Sequence, residues 1–317
     1  MTEISIPKGK ISLSALLFKP QTTSTQTANP ALIIVHPGGG VKEQTASLYA
    51  RHLSLPPHNF ITICYDASHQ GASGGEPHFL EDPSARVSDV SAVADYLITS
   101  VPGVDVEKIG VLGICAGGGY AVAAATRDYR LKAVATVSMV NIGASFRLGW
   151  DGKDPASNHV GTLKMAADAR VAELKTANSG EEGKYAPYVP TKCDDSTPFD
   201  LKEAADYYLT PRAQHPRAEN KMLISSFPLI LTFDAFEFAD VYLTQPVCCV
   251  VGGNAGSKWH TDQLDAILKK GKSGSKGVEK LVVVEGGTHM DFYDREEFVG
   301  RAVQEVGGFL KDKLVSL

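Results

Sequence analysis

The chain has 317 residues, 43% of them apolar and 21% charged, with a formal charge of −5 at neutral pH. That balance suits a soluble α/β protein with a sizeable core, and the scattered Lys and Arg leave no footprint for nucleic acid. No apolar run reaches membrane-spanning length and no basic segment precedes an apolar one at the start, so a cytoplasmic protein is expected.

Glu3 to Ile6 and Ile11 to Phe18 read as a hairpin, joined by Pro7-Lys8-Gly9-Lys10, and a Thr-, Gln- and Ser-rich loop follows. Unbroken apolar runs then recur at Ala31 to His36, Phe60 to Tyr65, Ile109 to Ile114, Lys132 to Ser138, Pro246 to Val251 and Lys280 to Glu285. Such runs suit parallel strands covered on both faces. Helical spacing separates them at Glu43 to Leu53, Ser84 to Thr99, Ala116 to Ala125 and His260 to Lys269, with a last helix from Arg295 to Leu314. The alternation predicts an eight-stranded, mostly parallel, doubly wound sheet. Residues 141–240 break the rhythm with helical patterns at Ala156 to Thr176, Leu201 to Leu209 and Lys221 to Phe238. A structureless loop of that length would be implausible, so residues 1–140 and 241–317 are expected to form the core and 141–240 an inserted helical cap.

Five cysteines, odd in number and without paired spacing, argue against a disulfide framework or a zinc knuckle. Cys64, Cys248 and Cys249 lie in strand-like runs and Cys193 in a polar loop. Cys115 differs because of its neighbours. Gly113-Ile114-Cys115-Ala116-Gly117 follows a strand and opens an Ala-rich helix, which fits the strand–elbow–helix form G-x-S-x-G with Cys in place of Ser. The glycines leave room for a strained turn, and the helix N-terminus favours a thiolate and offers the Ala116 N–H as an oxyanion donor. A buried structural cysteine is the competing reading.

His36-Pro37-Gly38-Gly39-Gly40 ends an earlier strand, where Gly38 and Gly39 let backbone amides approach a developing oxyanion; His36 reads as a structural, hydrogen-bonded residue. His289, in Gly286-Gly287-Thr288-His289-Met290-Asp291, is the one histidine of nine directly after the last strand, which places it as the base over the elbow. The carboxylate that orients such a histidine usually follows the penultimate strand, but that loop reads Gly252-Gly253-Asn254-Ala255-Gly256-Ser257-Lys258. Asn254 is therefore the first candidate to orient His289, with Asp262, Asp234, Glu237 and Asp240 behind it. Asp66, in Asp66-Ala67-Ser68-His69-Gln70-Gly71, reads as structural. Lys42, Glu43 and Gln44 read as solvated residues of a helix start.

These residues resemble the α/β-hydrolase superfamily along almost the whole chain, which implies the α/β-hydrolase fold. The cysteine elbow resembles dienelactone hydrolase. The segments Lys42 to Gln44, Cys115 to Tyr120, Tyr207 to Arg212 and His289 to Asp294 look more like the fungal polyketide transferase-like hydrolases and their bacterial relatives. The resemblance implies an acyl hydrolase or acyltransferase with Cys115 and His289 as catalytic residues, acting on a thioester, ester or lactone. It needs no cofactor and no metal, and no metal cluster or dinucleotide fingerprint competes. A polyketide route would add transient contact with an acyl carrier domain. Phe227, Leu231, Phe233, Phe236 and Phe238 could wall an apolar pocket, although packing is the commoner role for such a series. Two rivals stay open: hydrolysis of a small polar lactone, and a ligand-binding protein or cyclase that uses the pocket without a covalent bond.

Overall fold

A computed structural model describes residues 1–20, 28–176, 184–272, 274 and 276–315, with residues 156, 157 and 176 described for backbone only. Most of the Thr-, Gln- and Ser-rich loop, residues 21–27, lies outside the described residues. The body comprises β1 (Thr2–Lys8), β2 (Ile11–Phe18), β3 (Asn29–Val35), α1 (Thr45–Ser54), β4 (Ile61–Tyr65), α2 (Pro83–Ser100), β5 (Val104–Ile114), α3 (Ala116–Ala125) and β6 (Leu131–Val137). The intervening segment carries α4 (Ile142–Leu148), α5 (Val160–Thr176), β7 (Tyr185–Ala186), α6 (Phe199–Leu209), β8 (Met222–Leu223), α7 (Phe227–Leu231) and α8 (Ala239–Tyr242). The body resumes with β9 (Val247–Gly252), α9 (Lys258–Lys270), β10 (Lys280–Val284), α10 (Asp291–Asp294) and α11 (Glu296–Val315).

Eight strands form one sheet in the order β1-β2-β4-β3-β5-β6-β9-β10, as the alternation of apolar runs predicts. β1 and β2 pair antiparallel, β2 meets β4 antiparallel, and every later neighbour is parallel. Central strands are buried on both faces, so successive residues serve different cores. Ala31, Ile33 and Val35 join the apolar layer under α2, α3 and α9, while Leu32 and Ile34 join the layer under α1 and α11. Asp82 caps α2 by accepting from Ser84 N at 2.8 Å and Ala85 N at 3.3 Å, with Pro83 in the first turn. Such a cap contributes about 1 kcal/mol.

From β3 the chain moves to β4 on one side and then returns to place β5 on the other side of β3. The loops leaving β3 and β5 therefore diverge at the carboxyl ends of neighbouring strands, which is where doubly wound sheets open a crevice. The His36 to Gly40 loop and Cys115 leave the sheet at this point.

In the segment between β6 and β9, the helix expected over Lys221 to Phe238 is instead β8, a 3₁₀ turn (Ile224–Ser226) and the short α7. Pro228 fits only a first helical turn, and Phe238 has a φ of +60°, so the run cannot continue as one helix. Helix α4, missed in the sequence, is capped by Asn141, whose Oδ1 accepts from Ala144 N at 3.4 Å and Ala235 N at 3.2 Å. Among the described residues no helix is long and apolar enough to cross a membrane.

Candidate active site

Cys115 sits between β5 and α3 with φ +54° and ψ −125°, a strained turn for a residue with a side chain. The glycines around it are required sterically. A Cβ on Gly113 would stand 2.1 Å from the Gly117 carbonyl oxygen, and one on Gly117 would stand 2.3 Å from that of Val35. The sulfur faces a cavity of about 290 Å³ whose walls include Gly38, Ala116, Ile142, Phe146, Trp150, Tyr188, Tyr208, His289 and Tyr293. Burial pushes the Cys115 thiol above its ordinary range, opposed by the Tyr293 hydroxyl, the Ala116 and Gly38 amides and the Arg86 charge.

The two amides named there are the expected oxyanion donors. Gly38 lines the cavity, whereas Gly39 forms the turn behind it at φ +69°. A Cβ on Gly39 would reach within 2.7 Å of the Tyr188 ring. The loop is fixed from behind by Arg86, whose Nη2 donates to His36 O at 2.8 Å and Pro37 O at 3.4 Å. Arg86 is buried beside the buried Glu81, with Nε to Oε1 at 3.6 Å, and stacks on Tyr120. Glu81 in turn accepts from the Tyr120 and Tyr188 hydroxyls, each at 2.6 Å. His36 lies 2.6 Å from Pro37 O through Nδ1 and accepts from Ala67 N at 3.1 Å through Nε2. Burial, reinforced by Arg86, lowers its pKa well below the usual histidine value, which keeps it neutral.

His289 follows β10 and is buried, with Nδ1 2.7 Å from Ser257 Oγ and Nε2 3.2 Å from the Tyr293 hydroxyl. Its ring packs edge-on against Trp150 at 4.9 Å. Burial drives its pKa down to about 4, against the pull of Asp200. Asn254 does not orient it. That side chain is exposed and donates to Gly286 O at 3.3 Å, because the β9 loop turns it toward the β10 loop backbone and leaves Ser257 beneath the ring.

The acidic support comes from a residue the sequence reading passed over. Asp200, in the first turn of α6, accepts from the His289 backbone N–H at 3.0 Å, Gly256 N at 2.7 Å and Trp150 Nε1 at 2.9 Å. It ties the β9 loop, the β10 loop and the intervening segment together. Its position near the end of a Pro-rich loop at a helix start was the available signal, but nothing in spacing connects it to residue 289. The other acids considered lie elsewhere. Asp262 pairs with Lys258, and Asp234 accepts from Asn141 at 2.7 Å.

One further expectation is corrected, and one open choice falls to the packing reading. Lys42 is buried rather than solvated, since its Nζ bonds Asp66 Oδ2 and Glu43 Oε1, each at 2.8 Å, and its N–H donates to Asp66 Oδ1 at 2.7 Å. Asp66 also accepts from Ala72 N at 2.8 Å, so it joins the two loops as a structural carboxylate. Phe227, Leu231, Phe233, Phe236 and Phe238 do not wall the cavity: Phe227 packs on Phe146, Phe233 on Tyr120, and Phe238 is 56% exposed.

A strained strand–elbow–helix turn, a glycine-lined loop and a histidine on the last-strand loop, all over a mostly parallel eight-stranded sheet, have the architecture of an α/β-hydrolase. Residues 32–302 match the profile of the Alpha/beta hydrolase family, and the chain belongs to that family. The uncharacterized protein YcjY of Escherichia coli (strain K12) is 42% identical over 96% of this chain and 95% of its own. The crystal structure of hypothetical protein PA2218 from Pseudomonas aeruginosa superposes with a TM-score of 0.84 at 27% identity, covering 99% of this chain and 93% of that one. More distantly, polyketide transferase grgF of a Penicillium species is 24% identical over 95% of this chain and 96% of its own.

Proposed function

We propose that the chain is a cysteine-dependent acyl hydrolase or acyltransferase for an uncharged acyl group carried as a thioester, ester or lactone. The observation that supports it most is the apolar cavity that ends on Cys115, His289 and the amides of Gly38 and Ala116. None of its described lining residues is Asp, Glu, Lys or Arg. The Cys115 sulfur attacks the carbonyl carbon, its proton passes to His289, and the oxyanion takes the two amide bonds that the resting sulfur occupies. The protonated His289 then gives its proton to the leaving group; water or an acceptor alcohol, losing its own proton to His289, attacks the acyl-cysteine, and that proton returns to the released sulfur. Thioesters suit this nucleophile because sulfur-for-sulfur exchange is nearly isoenergetic. The relative named a polyketide transferase, and a thiohydrolase of Aspergillus aculeatus 30% identical over 37% of this chain, fit that preference.

The small polar lactone is disfavoured, since a substrate carboxylate would meet no cation in this cavity. The non-covalent reading draws on a different observation, the neutral Ser257 hydroxyl where a carboxylate usually faces Nδ1. Intact-protein mass after mixing the protein and Cys115→Ala with a panel of acyl thioesters decides between them. An acyl mass gain on the unmutated protein alone, with release of acid or ester, is expected. Full turnover by Cys115→Ala would instead establish a pocket that works without a nucleophile.

A further inference from the structure

The sulfur and the imidazole are not joined directly. Both nitrogens of His289 are already partnered, Nδ1 by Ser257 Oγ at 2.7 Å and Nε2 by the Tyr293 hydroxyl at 3.2 Å. Tyr293 lies in α10, four residues beyond His289, which precedes that helix, and both side chains line the cavity. The ring is held by edge contacts with Tyr207 at 5.1 Å and Tyr208 at 6.4 Å, and the residue is 2% exposed. Cys115 and Tyr293 line the same cavity, and the phenol hydroxyl draws the thiol pKa down while the thiol raises that of the phenol.

We propose that Tyr293 is a third catalytic residue, the proton carrier between Cys115 and His289. The neutral resting groups order as a chain. The thiol S–H donates to the phenol oxygen, the phenol O–H donates to Nε2, and Nδ1–H donates to Ser257 Oγ. As the sulfur attacks, the S–H bond breaks and an O–H bond forms at Tyr293, while the original O–H bond breaks and an N–H bond forms at Nε2. One proton leaves sulfur, one arrives on nitrogen, and the phenol is unchanged. When the leaving group departs, the same shift runs backward: Nε2 returns its proton to the phenol oxygen, which passes its own to the departing sulfur or oxygen.

The transfer must be concerted. Burial raises the pKa of Tyr293 well above the usual phenol value and lowers that of His289 to about 4. A free tyrosinate or a resting thiolate–imidazolium pair is therefore unfavourable, whereas a shift that never leaves the phenol ionised avoids both. Asp200, bonded to the His289 backbone, supplies the negative charge that the transient imidazolium needs.

This rests on Cys115 being the nucleophile, but its test needs no knowledge of the substrate. Cys193 is exposed and would react with any thiol reagent, so the experiment uses a Cys193→Ser background. The rate of Cys115 alkylation by iodoacetamide is followed by intact mass in the parent, Tyr293→Phe, His289→Ala and the double variant. Each single change is expected to slow alkylation by about 100-fold at neutral pH, a general-base-sized effect. The double variant should be no slower than the slower single one, because either change already breaks the one chain. Thermal melting confirms that each variant is folded, and Tyr293→Phe removes only an oxygen. A Tyr293→Phe rate equal to the parent overturns the carrier role. So does a double variant slowed by the product of the two single effects, which would show that Tyr293 and His289 act independently. If alkylation behaves as expected while no acyl thioester reacts, the carrier stands and the proposed substrate class falls.

Discussion

Cys115 and the Gly38 loop are braced from behind by Arg86 and Glu81, which belong to α2 and the loop before it, whereas His289 takes its support from Asp200, some ninety residues earlier in the segment between β6 and β9. The first brace centres on the β-α-β body, although Glu81 also accepts from the Tyr188 hydroxyl of the intervening segment at 2.6 Å. The second joins the body to the segment that roofs the cavity. The Cys115 half is thus braced mainly from α2 and the loop before it, while the carboxylate bonded to the His289 backbone comes from α6. On the proposed mechanism, substrate entry that displaced α6 would loosen His289 more than the Gly38 and Ala116 amides.

The largest test of this contrast is Arg86→Met. It leaves the Glu81 carboxylate buried without its cation and frees the His36 and Pro37 carbonyls. Breaking a buried pair from one side costs about 3–5 kcal/mol, so the urea midpoint should fall accordingly. Adding Glu81→Gln should restore part of it. A loss below about 1 kcal/mol would mean that the oxyanion loop does not depend on the pair.

Asp200→Asn should act on chemistry more than on folding. It keeps the shape and removes the charge that raises the His289 pKa. Hydrogen bonds to a charged group are worth about 1.5–3 kcal/mol, so turnover should drop about 10-fold to 100-fold. The sign of the pH effect follows from the proposed mechanism: a base must be neutral, so turnover should fall as pH nears the His289 pKa of about 4, and loss of Asp200 should move that acid limb lower. An acid limb that stays put would show that Asp200 does not act on the imidazole.

The same division explains what was legible in the sequence. The elbow and the Gly38 loop were readable because backbone crowding dictates glycine at fixed offsets, as the 2.1 Å and 2.3 Å approaches at Gly113 and Gly117 show. His289 was readable from its place after the last strand. Asp200, Ser257 and Tyr293 were not. The contacts of Asp200 and Ser257 run through space between loops, and no periodicity links an acid of the intervening segment to a last-strand histidine; Tyr293 lies only four residues from His289, but an aromatic at that spacing reads as packing. Lys42 was misread for a related reason, since a lysine looks solvated until its Asp66 partner is found on another loop.

A smaller effect separates His289 from the residue behind it. His260 is fully buried, its pKa is driven by burial to about 3, and neither ring nitrogen has a hydrogen-bond partner. Both histidines are depressed below the unfolded value of about 6.5. Each therefore adds stability that is present above that value and is lost as pH falls toward the folded value. Each proton taken up on unfolding contributes a slope of about 1.4 kcal/mol per pH unit. His260→Phe should flatten the loss of stability between about pH 6.5 and pH 4 by up to one such slope. Equal slopes of urea midpoint against pH in the parent and the variant would show that His260 takes up no proton on unfolding.

Asn254→Ala should do least. The Asn254 N–H bond to Gly287 O, at 2.9 Å, is backbone and survives the change; only an exposed side-chain bond to Gly286 O at 3.3 Å is lost. Stability should stay within about 0.5 kcal/mol, and the acid limb of turnover should not move. Ser257→Ala, one turn of chain away, makes the contrast: it removes the buried partner of Nδ1 at 2.7 Å and should slow turnover. If Asn254→Ala shifted the acid limb as Asp200→Asn is expected to, the path of the β9 loop, rather than the carboxylate beneath it, would be what sets the imidazole.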